Sequence, residues 1–168
     1  SRYYSIKFGY PHTETASKSL REYAETDRNH QVRIISGEEP LKSPEKSLKL
    51  AKHNLLNNIK AFGLTNKYDE SLITMKNKLE WSRYPFYVRE KTNYRRPSIA
   101  QISREKIKYI ENNNELDIEL YHFAVDKFIG ESSYTKRDLT FFKTANAVVR
   151  KIAPYPLRIY RTLRSSLG

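Results

Sequence analysis

Apolar residues along this chain recur mainly at three- and four-residue spacing, the period of helices that bury one face. The stretch from Ala16 to Ala24 puts Leu20, Tyr23 and Ala24 on one side of a predicted helix. Gln31-Val32-Arg33-Ile34-Ile35 is different: its β-branched run predicts a short extended or packing segment, closed by Gly37. A helix is predicted from Ser43-Pro44-Glu45. There the Ser oxygen can accept a backbone N–H, Pro suits the first helical position and Glu suits the positive end of the dipole. Leu48, Ala51, Leu55 and Ile59 form its apolar stripe.

Lys60 to Thr65 reads as a brief strand or strand end, followed by a helix over Asp69 to Trp81 with Leu72, Met75 and Leu79 inward. Ser82 to Pro97 breaks the pattern. It carries Arg83, Arg89, Lys91, Arg95 and Arg96 against one acid, Glu90, with Tyr84, Phe86, Tyr87 and Tyr94 interleaved, and is expected to be a functional loop. Ser103 to Lys106 opens another helix, with Ile107 and Ile110 facing the core and Asn112-Asn113-Asn114 ending it. Asp117 is expected to cap the next helix, whose inner face is Leu120, Phe123, Ala124 and Phe128 and whose stop is Gly130. Beyond Ser132, Pro154 and Pro156 separate two short amphipathic pieces, one with Phe141, Phe142, Ala145, Val148 and Val149, the other with Leu157, Ile159, Tyr160 and Leu163.

Composition narrows the functional classes. The 168 residues carry a formal net charge of +12, so the surface attracts anions such as a phosphate-bearing cofactor, an acidic glycan, a lipid surface or nucleic acid. From Ser132 onward there are eight Lys or Arg and one Asp. That basic tail suits contact with a membrane surface as well as a helix packed with its cations outward. With no cysteine there is no disulfide frame, thiolate metal site or cysteine nucleophile. His12, His30, His53 and His122 lack ligand spacing, and no metal is expected.

The string from Ala51 to Leu72, AKHNLLNNIKAFGLTNKYDESL, resembles a signature of the carbohydrate and bacterial type of sulfotransferases that use PAPS, 3′-phosphoadenosine 5′-phosphosulfate. In that family a helix leads to a strand ending in a Gly-Leu-Thr-like turn, then to an aromatic-Asp-Glu-Ser-Leu helix start. Two further blocks agree in order. Asn29, Gln31, Arg33 and Gly37 are similar to an Asn-x-Gln-x-Arg segment and its closing Gly, and Asp117 to Ala124 is similar to a late Asp-x-x-Leu-Tyr-x-x-Ala helix. Ser1-Arg2-Tyr3-Tyr4 resembles the end of the motif that holds the donor's 3′-phosphate.

The resemblance implies an α/β fold, a parallel sheet flanked by helices in the P-loop-like manner, with this chain as its helix-rich later part. It implies residues 1–131 as the C-terminal part of the catalytic domain and 132–168 as a basic helical tail. It implies PAPS as co-substrate, with Ser1, Gly63, Leu64, Thr65, Lys91, Thr92, Arg95 and Arg96 as donor-binding candidates. The acceptor would be a hydroxyl, on a carbohydrate that is acidic if the Arg and Lys of the cleft are a guide. The loop that cradles the 5′-phosphosulfate and the catalytic base are not found in these residues, so the segment by itself is expected to be inactive. The alternative is a module that grips polyanionic glycan or nucleic acid without chemistry. No helix-turn-helix, zinc-finger or RNA-binding aromatic signature supports a nucleic-acid partner, and none is expected.

Overall fold

The computed structural model describes residues 17–88, 97–131 and 133–152. Among them, helices and short 3-10 turns are the only regular elements, and no strand is present. The helices are α1 (Leu20–Thr26), α2 (His30–Ser36), α3 (Pro44–Asn57), α4 (Tyr68–Lys78), α5 (Arg104–Asn112), α6 (Glu115–Glu131) and α7 (Lys136–Ile152). The expected parallel sheet is therefore replaced by an all-helical arrangement in the described residues.

Both segments expected to be extended show why. Gln31 to Ile35 lies inside α2, because its exposed N–H groups are satisfied by side chains from elsewhere in the chain. The Asp117 carboxylate accepts from Gln31 N at 3.0 Å and from Val32 N at 2.8 Å. Gly37 closes the helix in the left-handed region at φ 73° and donates to the Arg33 carbonyl, a role glycine fills without steric cost. Lys60 to Leu64 is irregular chain, and the Leu64 N–H binds the Ser71 hydroxyl where a strand would use a neighbouring ladder.

The described residues divide into two compact units, one of residues 17–59 and 97–126, the other of 60–88, 127–131 and 133–152. In the first, α2 packs on α3 and α1 on α5. Ala24, Val32, Leu48, Ala51, Leu55, Leu120 and Ala124 are buried. Pro44 takes the first position of α3 as expected, but the Ser43 side chain makes no capping bond. Asp117 sits in the first turn of α6 and caps α2 instead of its own helix. In return, Asn29 Oδ1 accepts from Leu116 N at 3.1 Å and Asp117 N at 3.2 Å, so the two helix starts satisfy each other's orphan donors. Asn114 Oδ1 accepts from Asn29 N at 3.0 Å, and Asn54 Nδ2 donates to the Ile35 carbonyl at 2.8 Å. Lys52 binds Glu119 at 2.6 Å and lies over the Phe123 ring, which is only half-buried.

In the second unit α4 packs on α7. Phe142 is fully buried and faces Phe86 in a stacked arrangement at 5.5 Å and Tyr84 at 6.1 Å. Ile73 is buried with Ser71 and Thr74, whereas the expected inward residues Leu72, Met75 and Leu79 are half-buried. Asn146 Oδ1 accepts from Tyr87 N at 2.8 Å, which pins the loop after α4 to α7. Gly130 does not end α6; the helix runs one residue further, to Glu131.

Candidate functional site

Gly63 and Leu64, the latter in extended backbone, lead directly into the 3-10 turn Thr65–Lys67, closed by Lys67 N donating to the Leu64 carbonyl, and then into α4. Leu64 is buried and Gly63 and Thr65 are exposed, so the middle residue anchors the turn while its neighbours face outward. The anchor is Ser71. Its Oγ accepts from Leu64 N at 2.8 Å, and its proton has the Lys67 carbonyl at 2.7 Å and the Leu64 carbonyl at 3.1 Å within reach. A Cβ on residue 63 would lie 2.6 Å from Ser71 Cβ and 2.9 Å from its Oγ, so the close approach that makes this hydrogen bond requires glycine.

Beside the turn, Tyr68 is exposed and meets Tyr87 edge-on at 4.8 Å. The Tyr87 hydroxyl donates to Asp69 at 2.8 Å, and the Arg150 guanidinium lies 4.5 Å above the Tyr87 ring with its Nε buried and without a hydrogen-bond partner. Lys76 sits over Tyr84 at 4.9 Å and Lys143 lies 3.7 Å from Glu70. Two cations, Lys76 and Arg150, are thus held against tyrosine rings, and Tyr87 with Tyr68 links the second of them to the start of α4. The arrangement offers outward backbone at Gly63, the Thr65 hydroxyl and an aromatic edge at Tyr68, which are groups that can receive a planar or phosphate-bearing ligand.

Of the expected donor-binding residues, Gly63, Leu64 and Thr65, consecutive in the chain, are described, and Leu64 is buried. Ser1, Lys91, Thr92, Arg95 and Arg96 lie outside the described residues. The aromatic residues of the 82–97 loop that are described do internal work: Tyr84 and Phe86 pack on Phe142, and Tyr87 is tied to Asp69 and Asn146. Arg150 and Tyr87 were not singled out as a pair by the sequence. Sixty-three positions apart, they offer no local pattern from which the stacking could be read.

Two other features lie in the first unit. Asp27, His30 and Arg33 cluster in the first unit, with Asp27 Oδ1 2.9 Å from His30 Nδ1 and 3.6 Å from Arg33 Nη2. A cleft lined by Leu20, Arg21, Glu105, Lys106, Tyr109 and Ile110 has a volume of about 120 Å³. Ligand pockets run to roughly 300 Å³ and more, so the cleft is small for an organic ligand. Among the described residues, no group of three or more His, Cys, Asp or Glu side chains could hold a metal, and no helix is long and apolar enough to cross a membrane. No family model matches the chain, and neither a curated protein nor a solved structure matches it.

Proposed function

We propose that this chain is part of an enzyme that transfers a sulfuryl group from PAPS to a hydroxyl on a carbohydrate, and that it lends the donor pocket its Gly63-Leu64-Thr65 turn. The observation that carries the reading is this turn, seated on Ser71, within the string Ala51 to Leu72 that resembles the family signature. The outlying blocks support it. Asn29, Gly37 and Asp117, which belong to the resembling blocks, are also the residues that terminate and clasp α2 and α6. Residues fixed by such demands are the ones a family pattern retains.

In this role Ser1 and the cations Lys91, Arg95 and Arg96, with Thr92, hold the 3′-phosphate, and Gly63 to Thr65 lie along the adenine. In-line transfer needs a base to activate the acceptor hydroxyl and cations to stabilise charge on the bridging and phosphate oxygens. These 168 residues contain neither that base nor a Gly- and Lys-bearing phosphate loop in recognisable form, so the isolated segment binds donor weakly and does not turn over.

Calorimetric titration of the full-length parent with PAP, the desulfated donor product, tests the reading against heparin and duplex DNA. The expected result is saturable PAP binding that persists at high salt and weakens when Thr65 is changed to Val. A steep loss of heparin or DNA binding with salt, with no response to PAP, overturns it in favour of a polyanion-binding module, which the net charge of +12 also suits.

A further inference from the structure

Helix α7 has two apolar faces. One, with Phe142 and Asn146, is buried against its own unit. The other is a stripe in which Phe141, one side of its ring against Tyr84 at 5.3 Å, is still 53% exposed, Val148 51% and Ile152 63%. Their spacing of seven and then four positions, with Ala145 between, keeps them on one side of a 3.6-residue helix. Single exposed apolar residues are ordinary, but three large ones aligned on one helix call for a covering.

The charges beside the stripe select what covers it. Arg137 lies eleven positions before Val148 and Lys151 three after it, so both flank the stripe, and Asp138 is the one acid in the helix. Lys143 and Arg150 are turned to the opposite flank, toward Glu70 and Tyr87. A second copy apposed on this face would bring cations against cations. Nucleic acid would neutralise the cations but leave Phe141, Val148 and Ile152 in water. An anionic lipid surface meets both demands, taking apolar side chains at the acyl boundary and cations at the headgroups.

We propose that α7 is a membrane-surface helix, docking its Phe141–Val148–Ile152 stripe on anionic lipid with Arg137 and Lys151 at the headgroups. The proposal is independent of the sulfuryl-transfer reading, so absence of PAP binding would leave it standing. The test is flotation of the full chain with vesicles of phosphatidylcholine alone and of phosphatidylcholine with phosphatidylserine. The expected result is association with the anionic vesicles at least about tenfold above that with the neutral ones, an effect of the size that two or more headgroup contacts supply.

A V148D/I152D variant, altered at two exposed positions, is expected to lose that association while keeping its helical circular dichroism. R137E/K151E is expected to lose it as well. Wild-type association no greater with anionic than with neutral vesicles overturns the proposal, as does undiminished association of V148D/I152D. Light scattering covers the remaining occupant: a dimer abolished by V148D/I152D, with no vesicle association, would assign the stripe to a second copy and overturn the lipid assignment.

Discussion

In the unit of residues 17–59 and 97–126, the polar side chains of Asn29, Asn54, Asn114 and Asp117 finish and join the helix ends, while in the unit of 60–88, 127–131 and 133–152 the rings of Tyr84, Phe86 and Phe142 fill the space beside α7. The difference follows helix length. α1 and α2 have seven residues each, so most of their backbone groups are terminal and lack a partner within the helix. Such helices are marginal alone and persist where side chains supply those partners. α7, with 17 residues, satisfies most of its backbone internally and is held by what its face buries.

The largest expected effect is in the aromatic unit. Phe142→Ala removes a fully buried ring and should cost about 4 kcal/mol in chemical denaturation, with amide-exchange protection lost first in α4 and α7. Retention of that protection would mean the rings do not hold α7. Asp117→Ala should follow at about 3 kcal/mol, since two backbone donors lose a charged acceptor, and the loss should be read first in α2 amides. Asp117→Asn, which keeps one acceptor oxygen, should fall between.

Gly63→Ala should cost about 2 kcal/mol, because its Cβ must displace Ser71 and with it the Leu64 hydrogen bond. A wild-type midpoint in G63A would show that the turn tolerates displacement. Ser47→Ala has the opposite sign. The Ser47 hydroxyl is buried without a partner, and its removal should stabilise the first unit by about 1 kcal/mol in thermal melting.

The smallest effect is electrostatic and present in both units. Glu22 closes a capping box with Ser19, and Asp138 does the same with Thr135. In each case the backbone N–H of the capping residue, then its hydroxyl, holds the carboxyl below its usual range. A depressed folded-state pKa means the stabilisation is full above the unfolded value and is lost as pH falls through the folded one. Acid melting should therefore steepen below about pH 4, and the E22Q/D138N double variant should flatten that limb.

Several features were legible in residue order alone. Pro44 with Glu45 at the start of α3, the stripe Leu48, Ala51 and Leu55, and the end of α5 at the Asn run all act within about one turn of helix. The expectation of extended chain at Gln31 to Ile35 fails for a related reason. The β-branched run Val32 to Ile35 has strand propensity, and seven residues are too few for a helical period to contradict it. What made the segment helical was Asp117, 85 and 86 positions away. In the candidate site, the grouping of Gly63 to Thr65 could be read from the chain, but the placing of Arg150 over Tyr87 could not.

By itself, then, the sequence determined where helices with strong local signals begin and the strongly basic balance of the chain. The tertiary structure decided that Gln31 to Ile35 is helical, that Asp117 caps a distant helix, that Gly63 must be glycine because Ser71 crowds it, and that α7 buries Phe142 while leaving Phe141 exposed. The physical reason is common to all four. A hydrogen bond or close contact between distant segments satisfies groups whose needs are visible locally, while the partner that meets them is fixed only when the chain has folded.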